Sequence, residues 1–181
     1  KQLVEIELNS LRSQLNPHFL FNTLNTISSL IRLDEKTTAI KALSELSTML
    51  RKVLENQQTQ LIPLSEELEF INSYLTIQKM RFEDKLALDI SVNPQCCAHQ
   101  VPFMLLQPLV ENAVQHGTQL ESDHNKIVLD INSNEDCIFI RLVNKFSKKD
   151  EHKGFGIGIS NTRERLKKLY GDKATLRLTK L

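Results

Sequence analysis

The sequence has no tryptophan and is poor in cysteine (three), tyrosine (two), glycine (five) and proline (five) across its 181 residues. Two of the cysteines, Cys96 and Cys97, are neighbours, so there is no disulfide framework and the usage fits a reducing compartment. His99 stands close by, but the Cys96-Cys97-x-His99 spacing matches no common zinc pattern. Scarce glycine and proline argue for a folded protein, and there is no internal repeat or low-complexity tract. No apolar run approaches the ~20 residues of a membrane span, and no signal-peptide pattern opens the chain. Charge of one sign is also lacking. A net charge of +1 gives no general pull toward nucleic acid or acidic lipid, so no direct nucleic-acid binding is expected.

What is present is a folded composition, 40% hydrophobic and 25% charged, long enough for one large domain or two small ones. The chain begins at Lys1 and stops in an alternating run, Ala174 to Leu181, that reads as a strand. It is therefore read as a fragment, with any membrane segment upstream.

The most informative stretch is Gln14-Leu15-Asn16-Pro17-His18-Phe19-Leu20-Phe21-Asn22. At about 100° per residue, His18, Asn22, Asn25 and Ser29 fall in a narrow strip of a helix. Leu20, Leu24, Ile27 and Ile31 lie opposite. Such a strip is either a hydrogen-bonded seam or a surface kept open for chemistry.

The spacing predicts one long helix over residues 1 to about 33, with Val4, Leu8, Leu11 and Leu15 in heptad-like positions and a bend at Pro17. Asp34 and Glu35 break the pattern. A second helix is expected from Thr37 to Glu55, and the pair cannot cover its own apolar surface, which implies a four-helix dimer. Asn56 to Gln60 reads as a loop. Ser65 reads as the N-cap of a third helix running to about Phe82, with Glu66 and Glu67 in its first turn. Leu86 to Val92 alternates as a strand, and Val101 to His116 reads as a helix despite Pro108. Ile127–Ile131 and Ile138–Leu142 form a hairpin. A helix from the glycine run to Leu169 is stopped by Gly171. The second half is thus expected to be α+β, with helices covering one face of a mostly antiparallel sheet.

Two further clusters carry chemistry. Gly154, Gly156 and Gly158 would let backbone amides cradle a phosphate, although a tight structural turn is an equal reading. On the run Glu111-Asn112-Ala113-Val114-Gln115-His116, Asn112 and His116 are one turn apart. An amide oxygen suits Mg²⁺ and the imidazole can reach a phosphate, or the face is simply polar and solvated.

Taken together these motifs resemble the LytS/YehU-type sensor histidine kinases. Asn-Pro-His-Phe-Leu-Phe-Asn is similar to their phosphoacceptor box, and Glu-Asn-Ala-x-x-His to the N box of the GHKL (Bergerat) ATP-binding sandwich. Gly-Phe-Gly-Ile-Gly-Ile-Ser-Asn-x-x-x-Arg-Leu resembles that fold's second glycine box. Tyr74-Leu75-x-Ile-Gln-x-x-Arg81-Phe82 resembles the connecting helix. The resemblance implies a helical dimerisation and phosphoacceptor region over residues 1–83, with the connecting helix at 65–83, and a GHKL domain over 84–181 cut short at its C-terminus.

It further implies ATP and Mg²⁺, autophosphorylation of His18, and transfer to the receiver domain of a response regulator, of LytTR type, at the cytoplasmic face of a bacterial inner membrane. Site residues carried over are His18, Glu111 and Asn22 for catalysis, and Asn112 for Mg²⁺. Asn112, His116, Asn144, Gly154, Gly156, Ile157, Gly158 and Asn161 would bind ATP. One box departs: Asn144-Lys145-Phe146 stands where the fold has Asp-x-Gly-x-Gly, and the loop Lys145–Lys153 reads as a reduced ATP lid. No acid follows His18. A non-catalytic dimeric module with a decayed pocket, and a GHKL ATPase used as a conformational clamp, are the rival readings.

Overall fold

The computed structural model describes residues 17–56, 59–118, 125–135, 137–144, 157–177 and 179. The heptad positions before Pro17 and the loop 145–156, with Gly154 and Gly156, lie outside the described residues.

Helix α1 is described over Pro17–Arg32. It buries Phe19, Thr23, Ile27 and Leu30 along one side. Of the apolar residues set opposite the polar strip, Ile27 is buried in the core, whereas Leu24 and Ile31, with Phe21, are exposed. The helix ends in a Schellman-type closure. Glu35 N–H donates to Leu30 O at 2.9 Å and Asp34 N–H to Ile31 O at 3.1 Å, with Asp34 in the left-handed region at φ 61°. Helix α2 (Lys36–Glu55) then returns antiparallel, burying Ala39, Ala42, Leu46, Met49 and Val53.

A short strand β1 (Leu61–Pro63) leads into helix α3 (Leu64–Phe82). Ser65 is not its N-cap: the helix starts at Leu64, and Pro63 precedes it in extended geometry. Helix α3 is buried on most sides, with Phe70, Ile71, Tyr74, Leu75 and Ile77 all in the core. It packs against α1 and α2 on one side and against the C-terminal half on the other. The Phe19 and Tyr74 rings, with centroids 5.0 Å apart, fasten α1 to α3. Such a pair contributes about 0.5–1.5 kcal/mol beyond its buried area.

The C-terminal half contains β2 (Leu86–Val92), β3 (Gln100–Pro102), helix α4 (Gln107–Thr118), β4 (Asn125–Ser133), β5 (Ile138–Val143) and helix α5 (Ile157–Tyr170). β3 pairs antiparallel with β1. The sheet β2-β4-β5 is mixed, which corrects the mostly antiparallel expectation. β2 runs parallel to β4, Leu86 opposite Asn125, and only β4–β5 is a hairpin. A parallel pair needs a long crossover, and α4 lies within it.

A second correction concerns residues 101–106, which are not helical. Pro108 explains it: proline is accommodated in the first turn of a helix and not in its interior, so α4 begins just ahead of it. The expected C-terminal strand is not formed over 174–177. Gly171 does close α5, at φ 57°.

Candidate functional site

His18 lies in α1, exposed, with Asn22 one turn further on the same strip. The Asn22 amide nitrogen lies 3.1 Å from His18 Nδ1 and 3.2 Å from Nε2. An amide N–H donates only to a ring nitrogen that carries no proton, so this contact belongs to the neutral imidazole. The docking of Phe19 on Tyr74 turns the strip toward α3 and α4. His18 and Asn22 thereby line a cavity of about 320 Å³ together with Tyr74, Gln78 and Arg81 of α3 and Glu111, Val114 and Gln115 of α4. Burial pushes the Tyr74 phenol well above its ordinary range; the Glu111 charge adds to this and the Arg81 charge opposes it. A carboxylate and a guanidinium thus line the same cavity as His18.

Helix α4 is placed by a buried carboxylate. Glu67 of α3, fully buried, accepts the Met104 N–H at 2.9 Å and the Leu106 N–H at 2.7 Å. These are amides at the entrance to α4, where a negative charge also complements the helix dipole. The same contact holds Met104 at φ 58°, a conformation uncommon for a residue with a side chain. Burial pushes the Glu67 carboxyl up to about 7, against the lowering effect of the Leu106, Met104 and Gln107 amides and of Arg165. Arg165 of α5 donates to the Phe103 carbonyl, tying α5 to the same turn. Inside α4, Gln107 Nε2 donates to Glu111 Oε1 at 2.8 Å.

The next residue along, Asn112, points elsewhere. Successive residues of a helix diverge by about 100°, so Glu111 and Asn112 face different surroundings. Asn112 lines a second cavity of about 520 Å³, within the usual size range for small-molecule sites. Its lining mixes apolar residues (Leu105, Leu109, Ile138, Ile140, Leu142, Ile159) with polar and charged ones, among them Asn112, Asn144, Thr162, Glu135, Lys173 and Arg177. Helix α4 is therefore a partition, with His18 on one side and Asn112 on the other.

The remaining expected ligands divide. Gly158 of α5 is exposed, and an added Cβ would meet the Pro108 Cβ at 3.2 Å. Close helix approach is thus its visible role. Asn161 is exposed and outside the cavity lining, whereas Thr162, which was not expected, lines it. His116 and Ile157 lie in α4 and α5, but their side chains, like Gly154 and Gly156, are outside the described residues. Among the described residues no three His, Cys, Asp or Glu side chains cluster to hold a metal. An Mg²⁺ held by Asn112 would take its other ligands from phosphate oxygens and water, as that ion commonly does.

Comparison with known proteins decides the family. The histidine kinase family model matches residues 6–86, a span that includes α1, α2 and α3. Sensor protein LytS of Oceanobacillus iheyensis is 35% identical over 98% of this chain and 33% of its own length. This chain belongs to the sensor histidine kinases. LytS of Bacillus subtilis is 32% identical over 99% of the chain and 32% of its own length, and sensor histidine kinase BtsS of Escherichia coli K12 is 33% identical over 94% and 30%. The chain thus spans about a third of the length of the curated relatives it matches.

For this histidine kinase segment, sequence reasoning missed Glu67, Arg81, Gln107 and Thr162. Gln107 had a visible signal, since it stands four residues before Glu111 and shares its helix face. Glu67 had none, because a first-turn acid ordinarily serves its own helix.

Proposed function

We propose that this segment is the catalytic core of a two-component sensor kinase, moving the γ-phosphoryl group of ATP to His18 and then to an aspartate of a response regulator. The observation that carries this reading is α4, which presents Glu111 to the His18 cavity and Asn112, one residue on, to the larger cavity. The same reading takes residues 1–83 as the dimerising phosphoacceptor region and 84–181 as an ATP-binding domain of GHKL type. It puts the segment on the cytoplasmic side of the membrane, where ATP and regulator are.

A ring nitrogen of His18 attacks the γ-phosphorus, the bond to the bridging oxygen of ADP breaks, and the proton on the other ring nitrogen passes to Glu111. Asn22 orients the ring before attack and afterwards positions a water against the regulator's phosphoaspartate. Arg81 offsets charge on the phosphoryl oxygens at the cavity wall. In the larger cavity the Asn144 amide oxygen would accept from the adenine amino group, and the apolar part of the lining would hold the ring. Asn112 would hold Mg²⁺, which would supply charge neutralisation for the phosphates.

Incubation with γ-labelled ATP and Mg²⁺ tests this. Labelled protein that passes its phosphate to a receiver domain is the expected outcome. Free phosphate without labelled protein would indicate a clamp-type ATPase instead, and absence of nucleotide binding a non-catalytic module.

A further inference from the structure

We propose that Glu67 and Arg165 are positioning residues for nucleotide binding, holding the turn at residues 103–106 from two sides in the shape that walls the larger cavity. This rests on the reading of that cavity as the ATP site.

The turn does not hold itself. Residues 103–106 lie between β3 and α4, in neither helix nor strand. Met104 sits at φ 58°, a conformation that disfavours a side chain and that glycine adopts freely. The clamp comes from α3, in the other half of the chain. Glu67 gives one carboxylate oxygen to each end of the bend: Oε2 accepts the Met104 N–H at 2.9 Å, and Oε1 the Leu106 N–H at 2.7 Å. From the second side Arg165 of α5 donates to the Phe103 carbonyl.

The turn is also a wall. Leu105 and Leu106 line the larger cavity beside Leu109 and Asn112 of α4 and Thr162 of α5. Neither Glu67 nor Arg165 is among the lining residues, so both act through the backbone of the turn. Glu67 fixes where α4 begins, and Arg165 fixes how α5 approaches the same point. A fully buried carboxylate is a costly way to hold a loop if stability is all that is required. It is, however, a group that can take both N–H donors at once and keep Met104 in place.

The test is titration with ATP and Mg²⁺ at pH 8, above the Glu67 value of about 7, with each variant shown to be folded by circular dichroism. Glu67→Gln keeps the shape but sets an amide donor against one of the two N–H groups. ATP binding should weaken about tenfold. Met104→Gly alone should bind as wild type, because the clamp already sets the turn. Added to Glu67→Gln it should restore most of the affinity, because glycine takes the left-handed conformation unaided. Lost packing would not be repaired by deleting further side-chain atoms. Arg165→Met should weaken binding about three- to tenfold, and glycine at position 104 should not rescue it, since there it is α5 that is released.

Wild-type affinity in either Glu67→Gln or Arg165→Met would overturn the proposal, as would a Glu67→Gln loss that Met104→Gly leaves in place. Should Glu67→Gln not fold, Met104→Val takes its part, straining the turn with the carboxylate intact, and wild-type affinity there overturns the proposal equally. Asn144→Leu separates the two levels. If it binds ATP as wild type does, the cavity is not the ATP site and the proposal fails with that reading. If it binds weakly while Glu67→Gln does not, only the positioning role fails.

Discussion

At the scale of single residues, the contact between Asn22 and His18 carries the most consequence. A neutral hydrogen bond of this kind contributes about 0.5–1.5 kcal/mol. Asn22→Ala should therefore slow His18 labelling by no more than about tenfold. Loss of phosphate from the regulator should slow by a larger factor, because water positioning by the amide is then absent. If regulator dephosphorylation is unchanged while the oligomeric state shifts, Asn22 serves dimer register and not chemistry.

Glu67 makes a second residue-scale prediction. Its folded value of about 7 lies above its ordinary 4.5, so the folded state binds a proton that the unfolded chain releases between those values. The stability it contributes is fully present below about pH 4.5 and is lost as pH rises through 7, a change of up to roughly 3 kcal/mol. Urea unfolding at pH 5 and pH 8 should show this decline in the wild type, and a smaller one in Glu67→Gln. Equal slopes in the two proteins would show that Glu67 is not the group responsible.

At the scale of elements, the helical hairpin presents an apolar stripe that nothing among the described residues covers. Phe21, Leu24 and Ile31 on α1 and Ile40, Leu43 and Leu54 on α2 are all at least half exposed. Patches of this kind mark association surfaces, and a second copy supplies a matching one. Sedimentation at micromolar concentration should show a dimer, and the double substitution Leu24→Glu with Leu43→Glu should give a folded monomer. A wild-type monomer would contradict the assignment.

These helices were legible because period-3.6 apolar spacing is strong over long segments, and α2 and α3 start within a residue or two of the expected positions. The entry to α4 was not. Val101 to Leu106 is apolar enough to pass for a helical turn, and the carboxylate that shapes it comes from Glu67, 39 residues before Leu106. The pairing of β2 with β4 was equally hidden, since alternation within a strand says nothing about the direction of its neighbour.

For the whole molecule, the Pro-His-Phe stretch and the Glu111-Asn112 dipeptide were visible as separate motifs. That one helix would turn Glu111 to one cavity and Asn112 to another follows only once α3 has docked both halves. The larger cavity makes its own test. ATP should bind the wild type more tightly with Mg²⁺ than without, and Asn112→Asp should alter that difference, because an amide and a carboxylate serve the metal unequally. Equal affinity in all four cases would remove Asn112 from the nucleotide site.

The measurement closest to the central claim is the position and chemistry of the transferred phosphate. After reaction with γ-labelled ATP and Mg²⁺, label should be lost in acid and retained in base, map to the peptide containing His18, and vanish in His18→Gln while ATP still binds. Acid-stable label, or label on another of the five histidines, would contradict the assignment of His18 as the phosphoryl acceptor.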